Sequence, residues 1–107
     1  MKRRRTVLLD PEARADLRQI RRWIVLRGAP KTATAYVSRI IAFAKSLDVA
    51  SERGQAFPEF GVGVRVIAFE SVILAVRVSE RHVTVVRVFH GSQNWLKRLR
   101  NEIERGS

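Results

Sequence analysis

The apolar residues of this chain change their period once, and that change does more than any other feature to limit what it can fold into. Ala13, Leu17, Ile20 and Ile24 recur at steps of four, three and four, and Ala33, Val37, Ile40, Ala44 and Leu47 repeat a similar stripe. Both patterns place one apolar face on an α-helix. From Val64 onward the helical period is lost, and the β-branched runs Val64–Phe69, Val72–Val78 and His82–Phe89 take over. They are separated only by Glu70-Ser71 and Ser79-Glu80-Arg81, which predicts an antiparallel meander of strands joined by tight turns. A helical half followed by a sheet half excludes an all-helical bundle and an all-β sandwich.

The punctuation agrees with the periodicity. Thr6-Val7-Leu8-Leu9 reads as a first strand stopped by Asp10-Pro11. Asp10 can cap a helix that Pro11 opens and whose positive end Glu12 meets. Gly28-Ala29-Pro30 separates the two helical stripes so briefly that they should form an antiparallel hairpin. The stretch from Ala50 to Gly63 collects Ser51, Gly54, Pro58, Gly61 and Gly63 and reads as a loop. After Gly91, Ser92 can cap a short, peripheral final helix whose stripe is Trp95, Leu99 and Ile103. The expectation is an α+β fold of order β-α-α-β-β-β-α, in one domain spanning residues 1–107, with helices on one face of a mainly antiparallel four-stranded sheet.

Composition narrows the chemistry. With no cysteine there are no disulfides or thiolate metal sites, which suits a reducing cytoplasm. His82 and His90 are the only histidines, and no metal-binding or phosphate-cradling motif is present, so neither a metal nor a cofactor is expected. No run approaches the roughly 18 apolar residues of a membrane span, and Met1-Lys2-Arg3-Arg4-Arg5 does not lead into a secretory-type apolar stretch. A soluble, unexported protein is expected. The formal charge is +11, from 21 Lys and Arg against 10 Asp and Glu, and calls for an anionic partner: nucleic acid, a ribosome or an acidic protein.

Three segments carry a resemblance to a known family. Asp10-Pro11-Glu12-Ala13-Arg14-Ala15-Asp16-Leu17 at the first helix, Phe57-Pro58-Glu59-Phe60-Gly61 followed by Gly63-Val64-Arg65, and Arg87-Val88-Phe89-His90-Gly91-Ser92-Gln93-Asn94-Trp95 stand in the order and spacing found in the ParE/RelE toxin superfamily. The chain resembles a ParE-like member over nearly its whole length. It departs from many such chains in having no aromatic residue in Ala75-Val76-Arg77-Val78, and its one tyrosine, Tyr36, falls in the second helix. The resemblance implies the toxic half of a type II toxin–antitoxin pair that inhibits DNA gyrase and is neutralised by an acidic, partly disordered antitoxin in a hetero-oligomer. The alternative within the superfamily is a ribosome-dependent mRNA endonuclease. Outside it, a non-toxic basic nucleic-acid-binding module accounts for the charge.

The two toxin readings ask different things of the residues. Cleavage through a 2′-hydroxyl needs a proton acceptor, a proton donor and cations for the phosphorane. Arg65, Arg77 and Arg87 lie in three different predicted strands and could supply the cations, with His90 as the one plausible proton carrier. If Val78 pairs with His82, Arg77 and Arg87 share a face, whereas a slip of one residue separates them. Structural roles compete with these: an ion pair or a bond to the C-terminal segment for Arg87, and a turn hydrogen bond for His90. For a gyrase inhibitor, the target-binding candidates are Arg87, His90, Trp95, Lys97, Arg98 and Arg100, and removal of residues 95–107 should weaken inhibition. Arg14, Arg18, Arg21 and Arg22 are candidates for the antitoxin, which should fold along the helical hairpin and the sheet edges. Trp23 and Trp95 are expected to pack, His82 to be solvated, and Lys2 to Arg5 to form a solvated tail.

Overall fold

The computed structural model describes residues 4–50, 52–90 and 95–106. The order of elements is β1 (Thr6–Leu9), α1 (Pro11–Leu26), α2 (Pro30–Lys45), β2 (Gln55–Ala56), β3 (Val64–Phe69), β4 (Val72–Val78), β5 (His82–His90) and α3 (Trp95–Gly106). The α+β class and the helical hairpin are as expected. The stretch between α2 and β3 is more structured than a loop. It holds 3-10 turns at Ser46–Asp48 and Pro58–Phe60 and a two-residue strand, β2, that brings the sheet to five strands.

The sheet runs in the order β1-β5-β4-β3-β2, with β1 parallel to β5 and every other pair antiparallel. The parallel pair follows from the hairpin: the chain leaves β1 through two helices and a meander before it returns as β5. Asp10 sits at the N-cap of α1 with extended backbone, but its side chain makes no capping bond; Pro11 and Glu12 carry the helix start. Gly28, at φ 85°, lets the chain turn out of α1. At the β3–β4 turn Glu70 takes φ 50°, and its carboxylate accepts two bonds from Arg39 of α2, at 3.0 and 3.2 Å. Gly63 matters in another way: at φ 78° it lies so close to β4 that a Cβ would collide with the Val78 carbonyl.

The helices cover both faces of the sheet, not one. On the hairpin side Leu17 and Ile20 of α1 and Tyr36 and Ile40 of α2 bury Ile67, Leu74, Val76, Val83, Val85 and Val88. On the opposite side Leu99 of α3, with Phe60, buries Val64, Val66, Ala75 and Phe89. The reason is legible in the strands, which read as nearly continuous apolar runs and so leave hydrophobic surface on both sides. The stripe of α3 has a second apolar face to cover, which makes this helix part of the core. Ser92 and the side chain of Ile103 lie outside the described residues. Among the described residues no helix is long and apolar enough to cross a membrane.

Candidate functional site

The register at the β4–β5 turn is the slipped one: Val78 pairs with Val83 and Arg77 with Thr84. Taken alone it would place Arg77 and Arg87 on opposite faces. A β-bulge reverses that outcome, because Val76 pairs with Val85 and Ala75 with Arg87, leaving Val86 as the extra residue. Arg77 and Arg87 therefore share the α3 side of the sheet, while Arg65, opposite Val76, belongs to the hairpin side.

Sharing a face does not bring the guanidinium groups together. The ladder between β1 and β5 stops at Val85, so Arg87 lies where the sheet edge is open. Its side chain turns round that edge to Asp16 of α1: Nε donates to Oδ2 at 2.8 Å and Nη2 to Oδ1 at 3.0 Å. The same Oδ2 accepts the Val88 amide at 2.9 Å, and Glu12 stands 3.8 Å from Nη1. With both side chains about 15% exposed, this bidentate pair latches α1 to β5. Arg65 is held as firmly, donating to the carbonyls of Glu52, Arg53 and Gly54 at 2.7 to 3.1 Å and so shaping the segment that precedes β2. Arg77 is exposed. His90 packs on the hairpin side, edge-on to Trp23 at 5.1 Å and 6.2 Å from the Tyr36 ring. Among the described residues, Arg65, Arg87 and His90 are thus held by different parts of the fold, Arg77 and His90 lie on opposite sides of the sheet, and no converged acid, base and cation set is formed.

The remaining candidates divide between two surfaces. Lys97, Arg98 and Arg100 are exposed on α3, where the Arg98 guanidinium lies 5.4 Å from the Phe89 ring and that of Arg100 6.0 Å from Phe60. Trp95 is half-buried, edge-on to Phe57, as expected of a packing residue. On the hairpin, Leu9, Leu17, Val37 and Ile41 line a cavity of about 230 Å³ together with Arg14, Arg18 and Arg21; Arg22 is exposed outside it. This is an apolar groove with a cationic border. His82 is exposed, as expected. The basic start of the chain is partly tied down, for Arg4 pairs with Asp48 at 3.4 Å and Arg5 Nε donates to the Ser79 carbonyl; Lys2 and Arg3 lie outside the described residues.

Trp23 departs from expectation, being 47% exposed. It stands one residue from Ile24, about 100° round the helix, and so points off the buried stripe. Asp16 is the residue of this site that the sequence candidates leave out. The available signal was that Glu12 and Asp16, four residues apart and hence on one flank, are the only acids on an otherwise cationic α1. No group of three or more His, Cys, Asp or Glu able to hold a metal occurs among the described residues.

The sequence matches the family described as the ParE toxin of the type II toxin-antitoxin system, parDE, over residues 7–95. The chain belongs to the ParE toxin family. That match runs from Val7 in β1 to Trp95, the first residue of α3, and takes in both the groove and the Asp16–Arg87 latch. Among solved structures, this ParE-family chain is similar to the chromosomal ParDE toxin–antitoxin system of P. aeruginosa, with TM-score 0.72 and 23% identity, covering 84% of this chain and 99% of that one. It is also similar to the RelBE2 toxin–antitoxin complex of Mycobacterium tuberculosis, with TM-score 0.61 and 21% identity over 81% of this chain and 98% of that one. At such identities the two structures establish a shared ParE/RelE fold. None of the curated proteins matches the chain.

Proposed function

We propose that this ParE-family chain is a toxin that acts by binding, with DNA gyrase as its target, and that it does so in the bacterial cytoplasm as one domain without catalysing a reaction. One observation carries the choice against an mRNA endonuclease. Arg65 and Arg87, two of the three cations that the sequence offers to stabilise a phosphorane, are spent on loop carbonyls and on Asp16, while His90 sits on the other side of the sheet from the third, Arg77. A nuclease needs such groups within hydrogen-bond reach of one phosphate. A binding toxin needs only surfaces.

The hairpin groove suits the antitoxin. Its apolar floor and the cations Arg14, Arg18 and Arg21 complement an acidic, amphipathic segment that orders as it binds, giving a hetero-oligomer. Lys97, Arg98 and Arg100 on α3 offer a separate cationic surface to the target.

The test uses purified toxin freed from its antitoxin, in a supercoiling reaction with gyrase and, in parallel, on mRNA with ribosomes. The expected result is blocked supercoiling with intact mRNA. Codon-positioned cleavage with unaffected gyrase overturns the proposal in favour of a ribosome-dependent endonuclease. Tight, salt-sensitive binding of free nucleic acid with neither effect points to a basic binding module.

A further inference from the structure

We infer that the flank of α1 carrying Trp23, Leu26 and Arg27, together with His90 of β5, is a second protein-docking surface, whose occupant is an acidic surface of the toxin's target and not the antitoxin. The inference rests on the proposed function and moves part of target recognition from α3 to α1. Two large apolar side chains lie exposed there within one helical turn: Trp23 at 47% and Leu26 at 79%. Scattered apolar residues need no explanation, but tryptophan and arginine are the residue types enriched at binding hot spots, and here an exposed tryptophan stands beside an exposed leucine with arginines at the border. The indole is already ordered, with the Arg27 guanidinium 4.0 Å from its centroid and the His90 ring edge-on at 5.1 Å. Its immobilisation was accomplished on folding, so a partner meets a side chain with little entropy left to lose.

The charge and geometry select the occupant. Asp16, on the same flank of α1, is engaged with Arg87, Glu12 stands within 3.8 Å of the same guanidinium, and Glu70, at the turn before β4, is paired with Arg39. Arg22 and Arg27 remain at the exposed end of the helix, so the border of the patch is cationic. A second copy of the chain would bring another +11 charge to the same place, which disfavours self-association. The antitoxin groove lies elsewhere: Arg21, on its border, and Trp23 are two residues apart and hence about 200° apart round α1. Nucleic acid fits less well than protein, because Leu26 brings no donor and Arg27 already covers the indole on which a base would stack.

The experiment titrates full-length toxin, freed from antitoxin, into the gyrase supercoiling reaction as wild type, Trp23→Ala and Leu26→Glu, with antitoxin affinity measured on the same preparations. Leu26→Glu alters an exposed position and keeps the fold, which its thermal melt verifies. Both variants are expected to need at least about tenfold more protein for half-inhibition, with antitoxin affinity within about twofold of wild type. Undiminished inhibition by Leu26→Glu overturns the inference. So does a parallel loss of antitoxin affinity, which would assign the patch to the antitoxin, or binding of a single-stranded oligonucleotide that Trp23→Ala abolishes. A wild-type toxin that leaves gyrase untouched removes the proposed function and this inference together, whereas inhibition by wild type and variants alike removes only the inference.

Discussion

Replacing Asp16 by alanine takes away, in one step, the acceptor of two Arg87 bonds and of the Val88 amide. Three donors are left at a place where the Arg87 side chain is only 14% exposed. Stranding one partner of a buried ion pair costs about 3–5 kcal/mol, more than the net worth of the pair, because the remaining charge has lost its solvent and gained nothing. Glu12 moderates this, since its carboxylate is already 3.8 Å from Nη1, but at 58% exposure it can compensate only in part. The low end of the range, about 3 kcal/mol, is therefore expected. For a domain of this size, that corresponds to a fall in Tm of about 10 to 20 °C. Urea unfolding followed by far-ultraviolet circular dichroism measures it directly. A double-mutant cycle with Arg87→Leu isolates the pair, and the double variant Asp16→Leu/Arg87→Leu should recover part of the loss, because no charge is then stranded. A loss under about 1 kcal/mol for Asp16→Ala, or a coupling energy near zero, would refute the argument that this latch holds α1 on the open edge of β5.

Three further outcomes test the remaining surfaces. Arg18→Glu/Arg21→Glu should weaken antitoxin binding at least about tenfold, or about 1.4 kcal/mol, and flatten its salt dependence, as calorimetry at two ionic strengths would show. Arg65→Met removes the clamp on the Glu52, Arg53 and Gly54 carbonyls; amides of that segment should exchange with solvent at least about tenfold faster, while β4 and β5 keep their protection. Lys97→Glu/Arg98→Glu should lower gyrase inhibition by about tenfold or more in a protein with an unchanged melt. This pair replaces truncation at Trp95 as the test of α3, because removing the helix would also withdraw Leu99 and uncover Phe89.

Local chain physics made much of the fold legible before any coordinates. A stripe at the helical period, a proline at the first turn and a glycine past the last are properties of a few neighbouring residues, so both hairpin helices and the three long strands could be read directly. The +11 charge and the absence of cysteine were equally open to inspection. Membership of the superfamily was visible too, since its segments stand in recognisable order. Other features depend on partners distant in sequence. Asp16 and Arg87 are 71 residues apart, and nothing local to either announces the other. The face on which Arg87 emerges turns on one unpaired residue, Val86, because a strand has a period of two and a bulge inverts everything beyond it. Likewise, the side of the sheet taken by α3 was decided by which apolar face the hairpin left uncovered. Pattern along the chain thus determined the elements and the sign of the surface; only the packing of the whole decided which side chains meet, because that choice minimises exposed apolar area and unpaired charge over all elements at once.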